Sequence, residues 1–94
     1  MEITYDPAKN VRNIELRGLS FDRVGDFEFE TALFSPDRRK DYGEARIRAL
    51  GMLDGRLHAL VFVETHDGVR VVSFRKANKR EANIYETQIR PRAD

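Results

Sequence analysis

Arginine, lysine, glutamate and tyrosine residues recur in three short clusters whose chemistry suits phosphodiester cleavage. The first cluster is Arg75 and Lys76, and the second follows closely as Arg80 and Glu81. RNA can be broken by its own 2′-hydroxyl, which attacks the adjacent phosphate. A protein then needs only to move two protons and to neutralise the developing charge. The third cluster lies upstream and contains Tyr42, Glu44, Arg46 and Arg48.

The ionisation of each side chain predicts its role. Arginine is an implausible proton acceptor because its pKa exceeds about 12, so Arg46 and Arg75 are expected to hold the phosphate in a shared groove. Glu44 or Glu81 is the expected base, and Lys76 is a candidate acid. Neighbouring residues of a strand project to opposite faces, so only one of Arg75 and Lys76 can face a given cleft.

Each candidate also has an ordinary structural explanation. Glu81 can close a helix capping box, and Arg46 and Arg48 can lie on a solvated strand face. Tyr85 suits a core position on a helix. Tyr42 can stack on a base or pack against its own loop.

The sequence does not favour a metal or cofactor site. Cysteine is absent, and the two histidines, His58 and His66, lie eight residues apart and outside the three clusters. No Gly-rich phosphate loop or Ser/His/Asp set is present. We therefore expect a metal-independent site without a cofactor.

Charge is unevenly distributed along the chain. The net charge is −4 over residues 1–37, +6 over residues 38–80 and −1 over the remainder, and 13 arginines stand against four lysines. The planar guanidinium can grip phosphate oxygens with two hydrogen bonds, so this basic stretch indicates a nucleic-acid surface. Arginine-rich surfaces also arise in high-GC genomes, and charge alone does not separate the two explanations.

Length and composition predict one domain spanning residues 1–94. The chain is 40% hydrophobic and 35% charged, which is typical of a folded protein. It has no signal-peptide pattern and no apolar run near the ~20 residues that span a bilayer, so we expect a cytoplasmic protein without a membrane partner.

The first half of the chain predicts one short strand and two helices. Residues 3–5 can form an edge strand. Asp6 followed by proline begins a helix over about residues 7–17, and Gly18 ends it. Residues 21–29 carry apolar side chains at roughly helical spacing, which predicts a second short helix.

The second half predicts an antiparallel sheet followed by a helix. Asp54-Gly55 and Asp67-Gly68 are tight-turn signals between strand-like segments, and residues 32–34 are a possible fourth strand. Asn78, with Glu81 three residues later, begins the final helix. The predicted class is α+β, with two N-terminal helices, a three- to four-stranded antiparallel meander and one C-terminal helix. The meander strands are expected at residues 45–50, 57–64 and 69–76.

Several short segments between residues 5 and 85 together form a family pattern. The segments are residues 5–10, 18–21, 41–44 with Arg46, Gly51, Gly55-Arg56, and 72–77 with Arg80, Glu81 and Tyr85. Each segment is weak alone, but their order and spacing together are specific. In these segments the chain resembles the BrnT family of ribonuclease toxins from bacterial type II toxin–antitoxin pairs.

This resemblance implies a RelE-like fold and endoribonuclease activity that inhibits translation. It also implies a hetero-oligomer with a ribbon-helix-helix, BrnA-like antitoxin. In that complex the antitoxin would contact operator DNA, and the toxin would be linked to the DNA only through the antitoxin. The residues expected to bind RNA are Arg17, Tyr42, Arg48, Arg56, Arg80 and Tyr85.

One departure from the family pattern bears on function. A Lys-His pair usually precedes the glycine after the first helix, and Leu16 and Arg17 occupy those positions here. Arg17 then substitutes for the histidine, or the protein is a catalytically weakened antitoxin-binding co-repressor. A non-cleaving RNA-binding module is a further alternative.

Overall fold

Five strands form one mixed sheet in the computed structural model, which describes residues 1–89. The strands are β1 (Glu2–Tyr5), β2 (Leu33–Pro36), β3 (Ile47–Leu53), β4 (Arg56–Glu64) and β5 (Gly68–Lys76). Their order across the sheet is β1-β5-β4-β3-β2. The pairing of β1 with β5 is parallel, and the other three pairings are antiparallel.

The expected antiparallel meander forms with four strands, β2 to β5, but the sheet is larger and mixed because β1 joins it in parallel. The edge strand near the N-terminus and the strand before β3 both form, and both join the same sheet. Gly68 permits the parallel pairing, because a Cβ atom at this position would overlap the backbone of Glu2. Such a close approach depends on the fold and not on a local pattern.

Two α-helices flank the sheet, α1 at Pro7–Arg17 and α2 at Lys79–Ile89. The prediction for α1 is confirmed. The Asp6 carboxylate accepts a hydrogen bond from the Ala8 amide at 2.9 Å. Gly18 ends the helix in the left-handed conformation at φ 64°.

The second predicted N-terminal helix is wrong, since Phe21–Asp26 and Phe29–Thr31 form two short 3₁₀ helices. Phe21, Val24 and Phe27 are spaced by three residues and all are buried. A helix with three residues per turn places such a series on one side, which explains the outcome.

The core lies between this 3₁₀ segment and one face of the sheet. Val24, Leu60 and Phe74 are its largest fully buried side chains. Gly51 of β3 leaves room for the Phe27 ring, because a Cβ atom there would come within 2.5 Å of Phe27 Cζ.

Two asparagine side chains attach helix α1 to the rest of the protein. The Asn10 Oδ1 atom accepts from the Phe21 amide at 2.7 Å, and Asn13 Nδ2 donates to the carbonyl oxygens of Leu19 and Phe74 at 2.9 Å each. Both asparagines are buried, whereas Val11 on the same helix is 53% exposed. Helix α1 thus directs polar residues to the protein and apolar ones outward.

A β-bulge in β5 decides which of its side chains face the core. Val61 of β4 pairs with Ser73, but the next residue, Phe62, pairs with Val71. The extra residue reverses the alternation, so Val71 and Phe74 are both buried in the core. Arg70, which precedes Val71, consequently lies on the opposite face.

Helix α2 begins with the predicted capping box. The Asn78 Oδ1 atom accepts from the Glu81 amide at 2.8 Å, and Glu81 Oε1 accepts from the Asn78 amide at 2.9 Å. The Tyr85 hydroxyl donates to the Thr31 carbonyl at 3.1 Å and ties the helix to the segment before β2. Across residues 1–89, neither helix has the length and apolarity needed to cross a membrane.

Candidate active site

Three arginines surround a shallow pocket of about 40 Å³ on the sheet face that is turned away from the core. Arg48 comes from β3, Arg75 from β5, and Arg39 from the loop between β2 and β3. Val61 of the central strand β4 lies on the floor between them, and Glu81 of α2 closes one side. The sheet therefore gathers three guanidinium groups that are far apart in sequence.

Arg75 is held in place by Glu81. Its Nη1 and Nη2 atoms donate to the two carboxylate oxygens at 2.7 and 2.9 Å, which is a two-pronged ion pair. Arg48 Nη2 lies 3.9 Å from the same carboxylate. Hydrogen bonds from Arg75 lower the pKa of Glu81, so the carboxylate is anionic at neutral pH. Glu81 thus has two roles: it holds Arg75 in the pocket and it caps the start of α2.

Arg39 is held in the same manner by Asp37. Its Nε and Nη2 atoms donate to the two carboxylate oxygens at 2.8 and 2.7 Å. The Asp37 carboxylate is fully buried, while Arg39 is largely exposed. Hydrogen bonds from Arg39 lower the pKa of Asp37 to about 2. A buried carboxylate that is charged at neutral pH therefore anchors an exposed arginine.

A second arginine cluster surrounds Glu44. Its carboxylate accepts from Arg46 Nε at 3.0 Å and from Arg70 Nη2 at 2.7 Å to each oxygen. The Arg46 guanidinium carbon lies 3.9 Å from the centre of the Tyr42 ring, in cation–π contact. The hydrogen bonds from Arg46 and Arg70 lower the pKa of Glu44.

The two clusters share one face of the sheet. Arg70 pairs with Val63 of β4, and Val63 lies two residues from Val61, which lines the pocket. We call this surface the arginine face. It comprises Arg39, Arg46, Arg48, Arg70 and Arg75 together with the carboxylates of Asp37, Glu44 and Glu81.

Arg46 and Arg75, the two expected phosphate clamps, occupy different parts of the arginine face. Arg46 contacts Glu44 and Tyr42, whereas Arg75 contacts Glu81. Of the predicted residues, Arg48 and Glu81 lie beside Arg75 in the pocket. Within residues 1–89, no three side chains of His, Cys, Asp or Glu form a group that would hold a metal ion.

Lys76 lies on the other side of the sheet from Arg75. It pairs with His58 of β4, and both residues line a separate cavity with Arg17, Gly18 and Leu19. Two predicted residues, Arg17 and Lys76, are therefore brought together there and away from the arginine face.

The remaining predicted residues lie elsewhere. Arg56 begins β4 beside the β3–β4 turn and is exposed, and exposed Arg80 borders a different depression along α2. The Tyr85 hydroxyl is bonded to the Thr31 carbonyl. The structure gives Tyr85 an anchoring contact and places neither arginine at the pocket.

Sequence reasoning missed three members of the arginine face, Asp37, Arg39 and Arg70. The Arg38-Arg39 doublet opens the basic stretch, so its charge was an available signal for Arg39. Regular alternation from Arg75 would place Arg70 on the core side, so no signal in β5 itself was sufficient. Only the bulge between these residues reveals where Arg70 lies.

A family model described as "Ribonuclease toxin, BrnT, of type II toxin-antitoxin system" matches residues 5–81. Searches of curated proteins and of solved structures found no match.

Proposed function

Because this chain belongs to the BrnT family of ribonuclease toxins of type II toxin–antitoxin systems, we propose that its arginine face binds RNA and cleaves it through the 2′-hydroxyl of the substrate. The reaction uses no metal or cofactor, and the loss of RNA inhibits translation. The observation that carries this proposal is the convergence of Arg39, Arg48 and Arg75 on one pocket.

Arg75 retains donors for a phosphate while it is paired with Glu81. One hydrogen of each Nη atom is used by the carboxylate, and Nη1 also donates to the Lys76 carbonyl at 3.3 Å. Of the five N–H donors of arginine, Nε–H and one Nη2–H remain, on a single edge of the guanidinium. That edge matches two phosphate oxygens. Glu81 is then a positioning residue, and Arg75 stabilises the charge that develops on the phosphorane. As the 2′-oxygen closes the cyclic phosphate, the bond to the 5′-oxygen breaks. The leaving oxygen takes its proton from water, because Lys76 lies on the other side of the sheet.

Glu44 is the more exposed of the two expected bases. Its side chain is 30% exposed, whereas that of Glu81 is 6% exposed. The ion pairs with Arg46 and Arg70 lower the pKa of Glu44 and weaken it as a proton acceptor. When a phosphate of the RNA binds Arg46 or Arg70, Glu44 loses an ion pair that lowers its pKa. RNA binding therefore makes Glu44 a stronger base.

An antitoxin protein accompanies a toxin of this class. We propose that this partner is a ribbon-helix-helix protein that binds the toxin, forms a hetero-oligomer with it and contacts operator DNA for the complex. A neighbouring reading frame of that type would support the assignment, and co-expression of its product should restore growth.

Induced expression in bacteria tests the proposal. We expect growth arrest and RNA cleavage with the wild-type chain and with Arg23→Gln, which removes an arginine that pairs with Asp26 and Asp54 and is not part of the arginine face. Neither effect is expected with Arg75→Gln. Growth arrest that survives replacement of both Arg46 and Arg75 by alanine would overturn the proposal.

The same experiment separates a second candidate function, a weakened antitoxin-binding co-repressor. Arg17, which stands where the family usually has histidine, lines a cavity with Lys76 and not the pocket of Arg75. Full viability together with tight antitoxin binding would favour the co-repressor. Bound but intact RNA would favour an RNA-binding module.

A further inference from the structure

Besides the pocket of Arg75, a basic cavity of about 390 Å³ lies at the end of β5, on the opposite side of the sheet. We call it the His58 cavity. His58 and Lys76 face each other across β4 and β5, and the end of α1 supplies the opposite wall. Its lining residues are Arg17, Gly18, Leu19, His58 and Lys76.

A buried amide positions the arginine of this cavity. Asn13, which is 9% exposed, donates to the Phe74 carbonyl and accepts from Arg17 Nε at 3.1 Å. The main chain of β5 therefore fixes Asn13, and Asn13 fixes the Arg17 side chain. Both Nη groups of Arg17 stay available for a ligand, which is an arrangement typical of a preorganised site.

The histidine of the cavity is similarly constrained. His58 is 5% exposed, and its Nδ1 atom lies 2.8 Å from the Arg56 carbonyl oxygen. A carbonyl can only accept, so Nδ1 carries a hydrogen and Nε2 is the ring nitrogen left for a ligand. The ring also packs against Phe74 at a centroid distance of 5.5 Å, which limits its rotation.

The charges of the cavity select an anion. Arg17 and Lys76 are both cationic, and none of the lining residues is a carboxylate. Within residues 1–89, no salt bridge joins either side chain to Asp or Glu. Each arginine of the arginine face has a carboxylate partner. The cations of the His58 cavity have none in the described part of the chain, so they are more available to bind an anion. A tetrahedral oxyanion can accept hydrogen bonds from both cations, and from His58 Nε2 when the ring carries its second proton.

We propose that the His58 cavity binds a phosphate group of the RNA strand, next to the phosphate held by Arg75. This inference rests on the function proposed above. Arg75 and Lys76 are consecutive and project to opposite faces, so the two sites are separated by the thickness of one strand. β1 pairs with Gly68–Val71, and α1 covers the next part of this edge of β5, where Asn13 bonds to the Phe74 carbonyl. An RNA strand that joins the two sites therefore passes beyond Phe74, round the end of β5.

Binding of an RNA oligonucleotide with 2′-O-methyl groups tests the inference, because such RNA cannot be cleaved through its 2′-oxygen. Arg17→Gln and Lys76→Gln are each expected to weaken binding roughly tenfold, and to reduce the slope of log affinity against log salt by about 0.7, the value for one phosphate contact on a single strand. Arg23→Gln in the first 3₁₀ helix and Lys79→Gln near Lys76 are the controls. Affinities and slopes equal to those of the controls would overturn the inference.

Inorganic phosphate provides an independent readout. We expect phosphate to shift the imidazole nitrogen resonances of His58 in the wild-type protein, and to shift them far less in Arg17→Gln. Unmoved resonances would contradict an anion site. If wild-type protein neither binds nor cuts RNA, the proposed function and the RNA ligand both fail. Resonances that still move would then support only a site for free phosphate.

Discussion

The arginines of the arginine face are fixed by carboxylates before any substrate arrives. Asp37 holds Arg39, Glu81 holds Arg75, and one carboxylate holds both Arg46 and Arg70. An ion pair between two solvent-exposed side chains contributes about 0–1 kcal/mol to stability, whereas the carboxylates of Asp37 and Glu81 are buried. The larger effect of these ion pairs is on geometry, since fixed donors need no reorganisation when charge develops on the phosphate.

Glu81→Gln separates positioning from folding. Glutamine can still accept the hydrogen bond from the Asn78 amide, so the capping box and the fold are retained. The neutral amide holds Arg75 less firmly, and we expect the rate of RNA cleavage to fall about tenfold, or about 1.4 kcal/mol in activation free energy. Cleavage assays with Glu15→Gln, an exposed position on α1, are the control. An undiminished rate would show that Glu81 serves the helix alone.

Asp37 makes the free energy of unfolding depend on pH in the acidic range. Its pKa is about 2 in the folded protein and near 3.8 in an unfolded chain, so the unfolded state binds more protons in this interval. The stabilisation is complete above about pH 4 and is lost as the pH falls through about 2. Urea midpoints measured across this range should decline less steeply in Asp37→Asn than in wild type. Identical slopes in the two proteins, with exposed Asp67→Asn as a control, would contradict the assignment.

Among the secondary-structure elements, short sequence patterns correctly predicted those features whose contacts are between residues close together in the chain. The bounds of α1, the Asp54-Gly55 turn and the Asn78–Glu81 capping box all follow from neighbours within a few residues. The parallel pairing of β1 and the bulge in β5 depend on residues far apart in sequence. Sequence reasoning therefore placed Arg46, and not Arg48, beside Arg75, and it did not select Arg70.

The contact between β3 and the 3₁₀ segment is testable through Gly51→Ala. The added methyl group would come within 2.5 Å of Phe27 Cζ, and the buried ring has little room to move. We expect the free energy of unfolding to fall by about 1–3 kcal/mol, as for other overpacked cores. Gly25→Ala is the matched control, because its Cβ would make an ordinary 3.4 Å contact with Ile3 Cδ1. Equal stability of the two variants would contradict the packing described for Gly51.

At the scale of the whole molecule, the fold turns a basic stretch of sequence into two separate surfaces. Residues 38–80 carry a net charge of +6 and supply all five arginines of the arginine face. The same stretch supplies His58 and Lys76 to the cavity on the other side of β5. Charge counting predicted a nucleic-acid surface, but the division into two sites depends on strand register. The role proposed for His58 had no signal in sequence, since only its pairing with Lys76 places it there.

The most direct test of the central claim is cleavage by purified protein of an RNA oligonucleotide and its all-2′-deoxy counterpart, in the presence of EDTA. The wild-type protein should cut the RNA to a 2′,3′-cyclic phosphate and a 5′-hydroxyl and leave the deoxy strand intact. Arg75→Gln should be slower by about 10²–10³-fold, as when one donor is removed from a preorganised site. Cleavage of the deoxy strand, a 5′-phosphate product or an unchanged rate for Arg75→Gln would contradict the claim.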